Sequence, residues 1–209
     1  MNKQFARILS VKNQKNFFSD INDYVIGVDE VGRGALCGPV ISCCVLLRKE
    51  ISENILINEI NDSKKISAKK RLILSKFIKK NSIFSLGEAS NREIDSINIL
   101  NATIKSMKRA LKKFDGYPNI IKIDGQKIFN YNERTFFLKK GDSISVSIAS
   151  ASIVAKVFRD DLMLEYSREY PNYKWEKNKG YGTKDHFSAI KQFGLTPLHR
   201  KSFLKNFIK

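Results

Sequence analysis

Residues 24–47 read YVIGVDEVGRGALCGPVISCCVLL. Two β-branched-rich runs, Tyr24 to Val28 and Val40 to Leu47, flank a glycine-rich segment. The pattern predicts neighbouring antiparallel strands joined by a tight, functional loop. Two acids, Asp29 and Glu30, stand where the first run ends. Successive residues of a regular strand face opposite sides, so for both acids to serve one site the strand must end, bend or bulge there. Gly32 permits this. By the same alternation Cys43 and Cys44 point to opposite faces. With Cys37 they are the three cysteines of the chain, with no second cluster to complete a zinc site, so reduced structural thiols are expected.

Working outward, Ile83 to Ala89 reads as a third strand. Before it, Ser67 caps a helix over AKKRLILSKFIKK whose apolar side is Leu72, Ile73, Phe77 and Ile78. A longer helix opens at Ser90 with Glu93 in capping-box spacing, and Ile97, Leu100, Ile104, Met107, Leu111 and Phe114 recur at steps of three and four. Its other side, with Lys105, Lys108, Arg109 and Lys112, is expected to face solvent. Asn119 to Ile123 is a strand ending at Asp124 and Gly125; Phe136 to Lys139 is another, ending at Gly141 and Asp142. A helix follows over ASIVAKVFRDDLMLEYSREY, with Ile153, Val154, Val157, Phe158, Leu162 and Tyr166 on one face. The order predicts an α/β fold in which helices cover a mixed five-stranded sheet. The 209 residues, 42% hydrophobic, suffice for one domain. Its expected parts are a core over about 24–170 and a short helical segment over 171–209.

Lys and Arg number 38 against 21 acids, a formal charge of +17. Basic residues spread through folded segments favour a nucleic-acid partner over a membrane-surface anchor. No apolar run reaches 18 residues, and the basic N-terminus MNKQFARILSVKNQKNFF has no cleavage signal, so a cytoplasmic protein without a membrane span is expected. A monomer is the default, and the residues leave open whether a partner such as a sliding clamp is recruited.

Against that basic background the acids Asp29, Glu30, Asp124 and Asp142 sit beside glycines at the ends of apolar runs. Ends of adjacent strands lie about 4.8 Å apart, so such acids can share one site. Two carboxylates about 4 Å apart repel by about 4 kcal/mol at an effective dielectric near 20, which a divalent cation relieves. An all-oxygen donor set favours Mg2+ or Mn2+ over zinc. Paired ions would activate water and stabilise the leaving oxygen of a phosphodiester. A histidine pair is the competing route, with His186 and His199 both in the last quarter and His186 expected near the site to assist.

The segments GVDEVGRGALCGPV, NDSKK, EIDSINILNATIKSMKRA, IDGQ, KGDS, SIASASIVAKVFRD, PNYKWEKNKGYGTKDH and TPLHRKSF occur in this order. As a set, from about Tyr24 to Phe203, they resemble the ribonuclease HII family, the type 2 ribonucleases H. The resemblance implies the ribonuclease H fold and a divalent-metal endonuclease. It implies as substrates RNA–DNA hybrid and duplex DNA with embedded ribonucleotides, cut on the 5′ side of the ribonucleotide to leave 3′-hydroxyl and 5′-phosphate ends. It makes Asp29, Glu30, Asp124 and Asp142 the catalytic, metal-binding quartet. It has Gly32, Arg33 and Gly34 read the 2′-hydroxyl while Tyr181 stacks on the adjoining sugar. Asp160 in RDD is outside the quartet and is expected to pair with a neighbouring base.

Ser63, Lys64 and Lys65 precede a helix N-terminus, where phosphate is welcome. Lys156, Lys179, Lys184 and Arg200 are further candidates for backbone phosphates. Two departures stand out: Ala35 and Cys37 replace the family's common proline and alanine, and the chain ends soon after TPLHRKSF, which leaves the basic surface to grip duplex. The rival readings are a non-catalytic hybrid or duplex binder and a related metal-dependent DNA nuclease indifferent to ribose.

Overall fold

The computed structural model describes residues 17–64, 66–205 and 207. Lys65 and residues 1–16 of the N-terminal stretch lie outside the described residues. Five strands, β1 (Ile26–Val31), β2 (Val40–Leu47), β3 (Ser82–Ala89), β4 (Ile121–Asp124) and β5 (Thr135–Leu138), form one sheet in the order β3-β2-β1-β4-β5. β1, β2 and β3 pair antiparallel, whereas β4 and β5 join parallel to β1, giving the expected mixed sheet. β1 begins later and runs further than the predicted Tyr24 to Val28. Tyr24 holds a left-handed φ of 48°, which ends the preceding turn, and Val31 still pairs with Ile41.

Among the described residues six α-helices accompany the sheet: α1 (17–22), α2 (Ala68–Lys80), α3 (Asn91–Leu111), α4 (Val146–Glu169), α5 (Trp175–Asn178) and α6 (Lys184–Phe193). On one face Cys43, Val45 and Leu47 pack with Val146, Ile153 and Val154 of α4 and Leu74 and Ile78 of α2. On the other, Val28, Cys44 and Leu46 pack with Met107, Ala110 and Leu111 of α3. The adjacent cysteines divide between the two faces as strand alternation requires.

α4 crosses β1 at backbone distance: a Cβ on Gly27 would stand 2.0 Å from the Ser147 carbonyl carbon. The helix starts five residues before the predicted ASIVAKVF stretch, with Ser145 as its N-cap. Its first ten residues, Val146 to Ala155, are all buried, so this part has no polar face to betray it as a helix. On α2 the predicted apolar side is corrected. Leu72 and Ile73 are exposed, and the helix turns Leu74, Ser75 and Ile78 inward.

α3 is not the continuous amphipathic helix its spacing suggests. Asn98, at φ 63° and ψ 166°, kinks it, and Leu100 beyond the kink is exposed. The predicted Met107, Leu111 and Phe114 are buried as expected, and small residues Ala102, Ser106 and Ala110 are buried beside them, where a Cβ on Gly87 would meet the Ser106 carbonyl oxygen at 2.0 Å. Sixteen residues of straight helix span ~24 Å, yet Arg109 Nη2 reaches Glu93 Oε1 at 2.9 Å because the kink folds the first turns back. Lys105 bonds the same carboxylate at 2.6 Å. These two bases are therefore structural partners and not simply a solvated face.

The segment after α4 forms a smaller apolar cluster. Trp175, Ala189, Ile190 and Leu204 pack on Leu36, Cys37 and Met163, so the C-terminal helices rest directly on the glycine loop.

Candidate active site

The site follows from the edge of β1. Its pairing with β4 stops at Val28↔Ile123, while its antiparallel pairing with β2 continues through Glu30↔Ser42 and Val31↔Ile41. No bulge occurs; the strand ends on one edge only. Beyond that edge Asp29, which faces α4, and Glu30, which faces away, both line one cleft of about 170 Å3 with Asp124, Asp142, Ser63, Lys64, Ser152, Lys156 and Tyr181. That volume accommodates several water-sized ligands, each occupying ~30 Å3. Asp124 is the last residue of β4, and its Oδ1 accepts from the Gly141 N–H at 2.6 Å. The same bond anchors the short turn Gly141–Ser143 that carries Asp142.

Four carboxylates in one cleft carry an electrostatic strain. Burial first, then the neighbouring Glu30 charge, pushes the Asp29 carboxyl well above the usual range, and Asp124 adds to it. Glu30 is also raised, chiefly by burial, against the pull of Arg33, whose Nη1 lies 3.2 Å from Glu30 Oε1. Among the described residues no three acid, histidine or cysteine groups already close into a metal cage. The donors are all oxygens, two of them held against their preferred ionisation, and this chemistry suits hard divalent cations. A larger groove of about 640 Å3 lies at the α3 kink. Its one acid, Asp95, is already spent on the N–H groups of Lys201 and Ser202.

The glycine loop stands beside the cleft and is braced from behind. Gly32 has φ +92°, and a Cβ there would meet Arg159 Nε at 2.2 Å; at Gly34 nothing lies within 4 Å. The fully buried Arg159 donates to the carbonyls of Pro39 (3.0 Å), Lys179 (2.8 Å) and Cys37 (3.0 Å). Arg200 is equally buried and donates to Gly38 and Arg33, both at 2.9 Å. Its expected place on a phosphate is therefore corrected: the guanidinium is enclosed in the protein and fixes the loop. Tyr181 forms an isolated bridge with Ala35, its ring 5.5 Å from Arg159 Cζ and 6.0 Å from Lys156 Nζ.

Other expectations divide. Asp160 pairs with Lys156 at 2.6 Å, as foreseen. Ser63 lines the cleft, but its hydroxyl bonds that of Ser152 at 2.9 Å and the residue is buried, so it supports the wall. Lys179 turns its Nζ to the Glu176 carbonyl, and Lys184 is exposed. His186 does not join the acids; it is buried beneath the loop, 3.1 Å from His199. Sequence reasoning missed Ser152 and Arg159. Their signal was available: Ser152, Lys156 and Arg159 recur at steps of four and three, one face of α4.

A mixed sheet with acids at the ends of its central strands, covered by helices and set in a basic surface, is the ribonuclease H-like architecture. Within that class the match is specific. The ribonuclease HII family model covers residues 26–206, and the chain belongs to that family. Ribonuclease HII of Caldanaerobacter subterraneus subsp. tengcongensis is 44% identical over all of this chain and 86% of its own. Among solved structures, the ribonuclease HII of the PCNA complex from Archaeoglobus fulgidus superimposes with a TM-score of 0.72 at 19% identity, covering 88% of this chain and 95% of that one. Bst-RNase HIII in complex with Mn2+ gives 0.62 at 18% identity over 81% and 62% of the two chains. The protein is accordingly an enzyme, a ribonuclease H endonuclease of a family that acts on RNA–DNA hybrids. No helix among the described residues is long and apolar enough to cross a membrane.

Proposed function

We propose that this enzyme cuts both RNA–DNA hybrids and duplex DNA bearing a single ribonucleotide, hydrolysing the phosphodiester 5′ to the ribonucleotide to leave 3′-hydroxyl and 5′-phosphate. The carrying observation is the convergence of Asp29, Glu30, Asp124 and Asp142 on one cleft beside an unobstructed glycine loop and Tyr181.

In this reading the four carboxylates hold Mg2+ or Mn2+, which supply an activated water and charge stabilisation at the leaving oxygen. The raised Asp29 and Glu30 are what such a site requires, since cations relieve repulsion that protons otherwise relieve. The Ser152 hydroxyl, hydrogen-bonded to Asp29, opposes part of that rise. Gly32, Arg33 and Gly34 bring backbone amides and carbonyls to the 2′-hydroxyl, the group that tells RNA from DNA. Tyr181 packs on the adjoining sugar. Lys64 and Lys156, both on the cleft wall, meet the flanking phosphates. The +17 surface supplies non-specific grip on duplex. Three buried free thiols agree with work in the reducing cytoplasm, in ribonucleotide removal from DNA.

The test uses three duplexes: all DNA, one ribonucleotide, and full hybrid, each in Mg2+ or Mn2+ and then in chelator. Cutting of the latter two that chelator abolishes supports the proposal. Equal cutting of all-DNA duplex favours a nuclease indifferent to ribose, and binding without turnover in either metal favours a non-catalytic binder.

A further inference from the structure

The two histidines form a buried chain that the chemistry of the cleft does not use. Trp175 Nε1–H lies 3.0 Å from His186 Nε2, and His199 Nε2 lies 3.1 Å from the same atom. An indole N–H only donates, so His186 Nε2 is an acceptor and the ring's proton is on Nδ1. That proton points at the Tyr181 carbonyl, 3.0 Å away. His199 must then donate from Nε2, and its Nδ1 is left to accept from the Thr196 N–H at 2.9 Å. This one assignment gives every ring nitrogen a partner: His186 Nε2 shares its single lone pair between the two donors in a three-centre bond, and His199 Nδ1 also has the Thr196 hydroxyl at 2.9 Å. Both rings are at most 1% exposed, and Tyr173 packs edge-on against each.

The end of the chain is the turn carrying Tyr181. Its carbonyl also accepts from the Thr183 N–H at 2.8 Å, and the preceding Gly180 carbonyl accepts from Leu36 N–H at 2.8 Å. The Tyr181 backbone is thus held from below by His186 and from the side by the glycine loop. We propose that His186, oriented by Trp175 and His199, is the positioning residue that fixes Tyr181 against the sugar and so sets how well a lone ribonucleotide is recognised. This inference rests on the proposed role of Tyr181. Burial holds both imidazoles neutral, His199 down to about 4, which agrees with the tautomers that geometry assigns.

Two substitutions separate this role from packing. The amide of Asn occupies the place of Nδ1, so His186→Asn keeps the bond to Tyr181 and loses the link to Trp175. His186→Gln reaches the place of Nε2 and does the reverse. We expect kcat/KM on a single-ribonucleotide duplex to fall about tenfold in the Gln variant while full-hybrid cleavage falls far less. The Asn variant should stay within about threefold of wild type on both. Equal losses in the two variants, or no loss in either, overturn the proposal. Independently of activity and of either variant's folding, the 15N spectrum of the wild-type His186 ring should show its proton on Nδ1; a proton on Nε2 overturns it. If wild type cuts no ribonucleotide duplex, the functional reading fails while the ring spectrum still judges the hydrogen-bond chain.

Discussion

Gly32 and Gly34 lie two residues apart, yet alanine at each reports on a different thing. At Gly32 the backbone is at φ +92°, a region that costs an L-residue about 1–2 kcal/mol. The added Cβ would also stand 2.2 Å from Arg159 Nε and 2.7 Å from its Cδ. The guanidinium must shift, and it carries three bonds to Pro39, Lys179 and Cys37 carbonyls. Losing one bond to a charged donor costs about 1.5–3 kcal/mol, so Gly32→Ala should destabilise by about 2.5–5 kcal/mol in all. At Gly34 no atom lies within 4 Å and φ is not left-handed. Gly34→Ala should therefore leave stability unchanged or raise it by about 0.4–1 kcal/mol through the unfolded chain. Its methyl nevertheless occupies the space a nucleic-acid backbone must enter, and cleavage of a single-ribonucleotide duplex should drop at least about tenfold. Urea unfolding gives the first quantity for each variant and steady-state cleavage the second. A Gly34→Ala enzyme that is stable and fully active refutes the close approach of substrate to this loop, and a Gly32→Ala enzyme of wild-type stability refutes the packing of Arg159 beneath it.

Three further outcomes follow from the same geometry. Asp124→Asn keeps an oxygen for the Gly141 N–H but removes a charge that raises Asp29 and Glu30, so it should abolish metal-dependent cleavage with a Tm equal to or above wild type; a lower Tm would show that Asp124 is mainly structural. Tyr181→Ala should reduce cutting more on a single ribonucleotide than on a long hybrid, and equal losses would remove its assigned role. Glu93 is held down at about 2 by Arg109 and then Lys105. A carboxylate whose folded value is depressed stabilises above its unfolded value near 4.5 and loses that contribution as pH falls toward 2. Asp29 and Glu30 have the opposite sign, so the difference between wild type and Glu93→Gln isolates the pair: acid titration should show the two stabilities converging between about pH 4.5 and 2, and a constant gap would contradict it.

Period-two alternation placed the cysteines on opposite faces, and strand and capping patterns located every strand and the start of α3, because these depend on neighbours along the chain. The predicted apolar side of α3 held at Met107, Leu111 and Phe114 but not at Leu100, and that of α2 held at Ile78 but not at Leu72 and Ile73, because tertiary contacts chose the buried face: small residues meet Gly87 at backbone distance, and a kink at Asn98 breaks the period. α4 hid its first turns because a helix buried all round carries no polar stripe. The four acids were legible as residues at strand ends; that they line one cleft was decided by β1 outrunning β4 on a single edge. Helical spacing could put Arg159 on the α4 face of Ser152 and Lys156, but no local signal could say that Arg159, Arg200 and His186 turn inward to carbonyls of the glycine loop and of the Tyr181 turn. Composition assigns basic residues to solvent or to a polyanion, and only the assembled fold supplies acceptors enough to bury a guanidinium.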